Sequence, residues 1–218
     1  MGVESPILIL SQKEYEGAEN LPVILIKFLT KKINLSSYDA LIFSSKNGVI
    51  GVDKLNSNWK KIPSFSIGSG TSKEIVKRGG EVVYEAKNSY GDSFAKEIKK
   101  LLKGKKALFL RAKVVTSNLN SILKNAGVIL DEVVVYETIC GDCNNLKTPP
   151  KNSFIIFSSP STIECFFNIF NWDKSYTAIV IGDKTASFMP LDVPFIISPE
   201  QTIASCIEIL YNLRKNVL

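Results

Sequence analysis

The stretch that decides the fold occurs twice, as Leu41-Ile42-Phe43-Ser44-Ser45 and as Ile155-Ile156-Phe157-Ser158-Ser159. In each copy an Ile-Gly-x-x-Thr motif follows at the same distance, first as Ile67 to Thr71 and then as Ile181 to Thr185. The offset between the copies is 114 residues for both elements. Two different elements in one order and at one spacing indicate a duplication, and hence two similar lobes with a cleft between them.

The rest of the chain has the rhythm of an α/β protein. Its 218 residues are 45% hydrophobic and 22% charged, and two lobes of roughly 100 residues can each bury a core. Short runs rich in Ile, Val and Phe alternate with helical patterns, which is typical of parallel sheets. The runs lie near residues 6–10, 39–44, 63–67, 81–84, 106–111, 129–135, 153–158, 177–181 and 194–197. We therefore predict two flavodoxin-like lobes, each with a parallel sheet.

A helical pattern follows late in each copy. Asp92-Ser93 is predicted to cap a helix whose apolar positions are Phe94, Ile98, Leu101 and Leu102. Thr202 is predicted to start its counterpart, with Ile203, Ile207, Leu210 and Tyr211 at the same spacings. These helices are 109 residues apart, so the second copy has lost five residues in a loop.

Two extended segments, residues 23–29 and 133–140, bracket the first copy of the repeat. If the chain leaves one lobe along the first and returns along the second, they can pair as a two-stranded antiparallel linker. The predicted domains are then a discontinuous first lobe (1–22 plus 141–218) and a second lobe (30–132). A linker of two short strands predicts motion of the lobes.

The composition limits the chemistry. The chain has no histidine, which removes histidine triads, metal ligands and general bases, so hydroxyls, carboxylates, amines or backbone dipoles must act. The formal net charge of +6 favours an anionic partner. The lysines between residues 96 and 106 follow a helical stripe, and no nucleic-acid-binding motif accompanies them. We expect a small-molecule ligand, with no nucleic acid and no membrane.

The cysteines and the N-terminus indicate the cytoplasm. Cys140, Cys143, Cys165 and Cys206 are few for a disulfide scaffold, so we expect free thiols. Cys140 and Cys143 form a CxxC, but a redox pair normally opens a helix, and a zinc site needs two more ligands. The first residues lack the basic start of a secretory signal, and no apolar run approaches the roughly 20 residues of a membrane span.

The repeated motifs sit where open α/β sheets bind ligands, outside the carboxyl ends of the strands. Hydroxyls, unpaired N–H groups and a helix N-terminus would together receive an anionic oxygen there. The same residue types also cap helices or permit tight turns. Neither loop is a phosphate-binding Walker motif or a dinucleotide fingerprint. The candidate binding residues are Ser45, Gly68, Thr71, Ser159, Gly182 and Thr185.

Tyr136 is the candidate catalytic residue. It lies on the returning linker segment, where its phenol could donate a proton or a hydrogen bond to a leaving group, or simply pack as a strand aromatic. Arg111 and Lys113 end another strand-like run and could either meet carboxylates or stay in solvent.

Taken together, these residues resemble the uroporphyrinogen-III synthase family. The matching pieces run in the family order across nearly the whole chain: Ile42 to Ser45, Ile67-Gly68-x-x-Thr71 with Gly79-Gly80, Leu110-Arg111, Gly127 with Val135 to Thr138, Phe157 to Ser161, and Ile181-Gly182-x-x-Thr185-Ala186. Three places depart from the family pattern. Lys46 replaces a proline, Ala112-Lys113-Val114 replaces a glycine-rich turn, and Ser11 to Leu21 is short for the usual first helix.

The resemblance implies two α/β lobes joined by two strands, with the N-terminal strand in the C-terminal lobe. It implies a lyase of haem biosynthesis that closes hydroxymethylbilane to uroporphyrinogen III, with inversion of ring D and loss of water, and without metal or organic cofactor. Tyr136 would assist the departing hydroxyl. The six loop residues and Arg111 would bind this linear octacarboxylate tetrapyrrole. We expect a monomer.

Two other classes stay open at this point. A non-catalytic two-lobed module could close on an anionic metabolite, because fold alone does not decide function. A redox or metal protein could use Cys140 and Cys143. Tyr136 favours the enzyme, since a binding module needs no proton donor at that position.

Overall fold

The computed structural model describes residues 5–29, 32–88, 90–142 and 146–215. The chain forms two compact units. Unit 1 comprises Met1–Leu25 and Ile139–Leu218, and unit 2 comprises Ile26–Thr138.

Strands and helices alternate along the chain. In order, they are β1 (Ile7–Ile9), β2 (Glu19–Asn20), β3 (Ile24–Phe28), β4 (Ala40–Phe43), α1 (Lys46–Leu55), a 3-10 helix (Ser57–Lys61), β5 (Ser64–Ser66), α2 (Gly68–Lys77), β6 (Val82–Glu85), α3 (Gly91–Ile98), β7 (Lys106–Ala112), α4 (Leu119–Asn125), β8 (Ile129–Cys140), β9 (Phe154–Phe157), α5 (Pro160–Ile169), β10 (Thr177–Val180), α6 (Asp183–Ala186), β11 (Phe195–Ile197) and α7 (Ile203–Lys215). Every apolar run predicted to form a strand does so.

Unit 1 contains a parallel sheet in the order β11-β10-β9-β1-β2. The N-terminal strand β1 pairs with β9, with Ile7 opposite Phe154. Side chains alternate between two cores, because Leu8 packs with Phe157 on one face while Ile9 packs with Ile156 on the other. Residues 10 to 18 form bends and turns, so β1 connects to β2 without a helix.

Unit 2 contains six strands in the order β3-β8-β7-β4-β5-β6. The pairs from β8 to β6 are parallel. One face packs against α3 and α4 through Phe94 and Leu119, and the other packs against α1 and α2 through Val49 and Ile75. This layering places α1 against the face on which Tyr136 lies.

Strand β8 does two tasks. It pairs in parallel with β7 from Ile129 to Tyr136, and it also lies beside β3. The N–H of Leu29 donates to the carbonyl of Val135 at 3.0 Å, and the N–H of Gly141 donates to that of Val23 at 2.8 Å. Partner numbers therefore run in opposite directions, and β3 is antiparallel to β8. The sequence predicted separate runs at 129–135 and 133–140, whereas they are one strand.

The predicted start of the first late helix is wrong. Helix α3 begins at Gly91, and no side chain caps it. The Asp92 carboxylate instead accepts hydrogen bonds from the backbone and side-chain nitrogens of Asn118, at 2.7 and 3.2 Å. The other start is confirmed, because Thr202 Oγ1 accepts the N–H of Ser205 at 3.1 Å, just before α7.

The expectation of free thiols is wrong for two cysteines. Cys140 and Cys165 form a disulfide that joins the end of β8 to helix α5. The two residues are 25 apart in sequence, and only the fold brings the strand end onto the helix. Cys206 is a buried free thiol, and Cys143 lies outside the described residues.

Two further searches covered the described part of the chain. No helix there is both long enough and apolar enough to span a membrane. Within the same ranges, no three Cys, Asp or Glu side chains come close enough together to hold a metal ion.

Candidate functional site

Ser45 and Tyr136 meet at the carboxyl edge of the unit 2 sheet. Ser45 is the N-cap residue of α1, and its Oγ accepts the N–H of Asn47 at 3.1 Å. The same hydroxyl makes a side-chain hydrogen bond with the phenol of Tyr136. A serine hydroxyl has one donor and two acceptor sites, so it can serve both partners. The fold therefore joins a predicted binding residue to the predicted proton donor.

The environment of Tyr136 keeps its phenol protonated. Only 7% of the residue is exposed, and it packs in the core shared by α1 and β8. Burial raises the pKa of the Tyr136 phenol above its ordinary value, and the hydrogen bond with Ser45 offsets part of that rise. A phenol with a raised pKa is a hydrogen-bond or proton donor at neutral pH rather than a base.

Two glycines on α1 let the helix approach the strands, and sequence reasoning missed them. A Cβ at Gly48 would lie 2.7 Å from the carbonyl oxygen of Leu110 on β7. A Cβ at Gly51 would lie 2.9 Å from Cγ2 of Val135 and 3.1 Å from its carbonyl oxygen. Because the two glycines are three residues apart, they share one helix face. That spacing was the available signal for a helix in close contact with a sheet.

Backbone and charge hold the strand around Tyr136. The Lys113 N–H donates to the Tyr136 carbonyl at 2.9 Å. The neighbouring Glu137 carboxylate takes Lys113 Nζ at 3.0 Å and Lys27 Nζ at 3.4 Å, so three adjacent segments are tied together. Hydrogen bonds from Lys113 and Lys27 lower the pKa of Glu137. Lys113 is thus a brace for β8 rather than a solvated charge.

Arg111 is turned toward its own unit. Its Nη1 donates to the carbonyls of Ala112 and Lys113, at 2.8 and 3.1 Å. Its Nε lies 2.5 Å from Glu132 Oε2, but the N–H is not aimed at that oxygen, so this contact is an ion pair without hydrogen-bond geometry. The binding of substrate by Arg111 stays a prediction that would require some of these contacts to be exchanged.

The Gly68 loop in unit 2 leads into the ten-residue helix α2. Gly68 has φ 68°, in the left-handed region that favours glycine. Thr71 is only 6% exposed, whereas Ser69 and Gly70 before it are exposed. A ligand at this loop would therefore meet mainly backbone, and the binding role of the Thr71 hydroxyl stays a prediction.

In unit 1 the corresponding motifs have different surroundings. Ser159 and Thr162 form a capping box at the start of α5, with the Thr162 N–H 3.4 Å from Ser159 Oγ and the Ser159 N–H 3.1 Å from Thr162 Oγ1. Gly182 precedes the four-residue helix α6, and Thr185 is 6% exposed. Capping, which the sequence left open for Ser159, accounts for its hydroxyl.

Unit 1 also has a cavity of about 340 Å³ beyond the end of α5. Its walls include Phe170, Trp172, Asp173 and Tyr176. The Tyr176 hydroxyl donates to the carbonyl of Pro149 at 2.7 Å, which closes one side. None of the predicted site residues lines this cavity.

Known proteins resemble the chain over nearly its full length. The family model "Uroporphyrinogen-III synthase HemD" matches residues 13–208. No curated protein has a sequence that matches significantly. Among solved structures, uroporphyrinogen-III synthetase from Helicobacter pylori 26695 is similar, with 26% identity and a TM-score of 0.83 over 96% of this chain and 99% of that one.

A second solved structure shares the fold. A mutant uroporphyrinogen III synthase from the extremely thermophilic bacterium Thermus thermophilus is 12% identical, with a TM-score of 0.58 over 97% of this chain and 99% of that one. The family model spans most of the sequence, and the alignment with each structure takes in nearly all of both chains. The chain therefore belongs to the uroporphyrinogen-III synthase family.

Proposed function

We propose that this protein is a uroporphyrinogen-III synthase that uses Tyr136 as its proton donor. The substrate would be hydroxymethylbilane, and the product uroporphyrinogen III with ring D inverted and one water lost. The single observation that carries the proposal is the buried Tyr136 phenol, whose raised pKa keeps it protonated and whose hydroxyl is held by Ser45. Membership of the family supports the same reaction.

In the proposed mechanism, the phenol donates to the hydroxyl group that leaves the linear tetrapyrrole. Departure of that group gives an azafulvenium cation, and the substituted carbon of ring D attacks it. The resulting spiro intermediate breaks and recloses to give the inverted ring. The same substrate closes without help to the type I isomer, so the protein must hold its ends in the less favoured arrangement, and positioning supplies much of the catalysis.

Carboxylate binding is assigned to the repeated loops. We propose that Ser45 and Gly68 with Thr71 act in unit 2, and that Ser159 and Gly182 with Thr185 act in unit 1. Backbone N–H groups at these loops would supply most of the contacts, because the two threonines are nearly buried. Arg111 would contribute after releasing one of its contacts. We further propose a cytoplasmic monomer without nucleic-acid or membrane partners.

The decisive experiment supplies enzymatically made hydroxymethylbilane, oxidises the products and separates the porphyrin isomers. Predominantly type III product with the protein, against type I in the blank, is the expected result. Type I product in both reactions would end the proposal. It would also favour the non-catalytic binding module, whose remaining test is protection of the substrate from spontaneous closure.

A further inference from the structure

The two Gly-x-x-Thr loops differ in how they could hold an anion. Helix α2 after Gly68 has ten residues, whereas α6 after Gly182 has four. In α6 the N–H groups of Thr185 and Ala186 both donate to the Gly182 carbonyl at 3.0 Å. One turn of helix sums few peptide dipoles, and these two donors are already used. The unit 1 loop therefore requires a donor from elsewhere to hold a carboxylate.

Gln201 lies directly over this loop. A Cβ at Gly182 would stand 3.0 Å from Gln201 Nε2, 3.2 Å from Cγ and 3.4 Å from Cδ. Gly182 has φ 169°, an extended conformation that any residue can adopt. The absence of a side chain at Gly182 thus serves the close approach of the Gln201 carboxamide rather than an unusual backbone.

The repeat supplies a comparison. At the offset of the late helices, Gln201 corresponds to Asp92 in unit 2, and Thr202 to Ser93. Asp92 is an acceptor that takes two hydrogen bonds from Asn118. Gln201 is neutral and carries two N–H donors on its amide nitrogen. The duplicated positions have therefore diverged from an acceptor to a potential donor, beside the loop with the shorter helix.

We propose that Gln201 donates an N–H to a substrate carboxylate at the Gly182 loop and so determines affinity for that carboxylate. The inference rests on the proposed function. Gln201 is exposed, so a ligand can reach its carboxamide. A hydrogen bond to an ionised acceptor is stronger than one between neutral groups. Glutamate has the same shape but no amide donor, and its negative charge would repel the carboxylate.

The test compares KM and kcat for hydroxymethylbilane in the wild type, Gln201→Glu and Gln201→Ala. The control, Asn171→Asp, makes the same exchange of amide for carboxylate at an exposed residue of unit 1, in the loop that leads into the amino end of β10. Gln201→Glu should raise KM by about tenfold or more, with kcat changed less than about twofold. Gln201→Ala should raise KM by about threefold. The control should keep the wild-type KM, and added salt should reduce the Gln201→Glu effect.

An unchanged KM in Gln201→Glu, or an equal rise in Asn171→Asp, would overturn the role of Gln201 while leaving the synthase activity standing. A loss in kcat at constant KM would overturn it as well. If the wild type makes only the type I isomer, the proposed function fails and this inference falls with it.

Discussion

The hydroxyl of Ser45 bonds at once to the N–H of Asn47 in helix α1 and to the phenol of Tyr136 on strand β8. One side chain thereby ends a helix and holds the proposed proton donor. Gly48 and Gly51 bring the rest of that helix against β7 and β8, so the position of the phenol depends on the packing of α1.

Replacing Tyr136 by Phe should lower turnover by about a hundredfold and leave the fold intact, because the proton donor is lost while the ring keeps its packing. Isomer analysis and circular dichroism together measure both effects. Tyr176→Phe is the matched control, since it also removes a buried phenol, and its turnover should match the wild type. A wild-type rate in Tyr136→Phe would show that the proton donor is misassigned.

Ser45→Ala should cost about 1 kcal/mol of stability through loss of the helix cap. We expect type III product to remain predominant and turnover to fall by less than about threefold, because Tyr136 keeps its place in the core. Ser159→Ala, which removes a cap in unit 1 and has no tyrosine partner, is the control for the stability loss. A collapse of turnover in Ser45→Ala alone would make Ser45 a residue that Tyr136 cannot act without.

The raised pKa of Tyr136 predicts a loss of stability in alkali. The unfolded chain releases this proton near pH 10, roughly the ordinary value for tyrosine, whereas the folded protein keeps it. The phenol therefore contributes stability below about pH 10 that is lost as pH rises toward the folded pKa. Because Tyr38, Tyr84 and Tyr176 also have raised pKa values, urea unfolding should compare wild type with Tyr136→Phe. Parallel curves for the two proteins from about pH 8 to about pH 11 would contradict the assignment.

Gly48→Ala and Gly51→Ala should each cost about 1 to 3 kcal/mol of stability, because the new methyl group meets backbone or a β-branched side chain. Gly70→Ala is the matched control on α2, where a Cβ would have nothing within 4 Å. The control should be neutral or stabilising by up to about 1 kcal/mol. Chemical denaturation measures all three variants, and equal losses in all of them would contradict close packing of α1.

Reduction of the Cys140–Cys165 disulfide should destabilise the protein by about 3 kcal/mol, the loop-closure estimate for a bridge across 25 residues. The melting temperature with and without a thiol reductant measures this. The Cys140→Ala, Cys165→Ala double variant should melt lower and should not respond to reductant. A wild type whose thiol titration and melting temperature ignore the reductant would show that the bridge is absent in solution.

Part of the fold could be read from local patterns. The strand runs were predictable because buried parallel strands are nearly continuous apolar segments, and Thr202 because a helix start needs an acceptor for its first N–H groups. The Asp92 cap could not be, since a carboxylate there can bond either its own helix or a neighbour, and Asn118 arrives only through packing of α4.

The sequence by itself determined the duplication, the two-sheet α/β class and the family, because repeated spacings and apolar periodicity are local properties of the chain. Only the tertiary structure decided which side chains meet. Ser45 with Tyr136, Gln201 with Gly182 and Cys140 with Cys165 are each remote in sequence, and their partners are chosen by the packing of helices on sheets. The pKa of Tyr136 follows the same rule, because burial is a property of the fold and not of the residue.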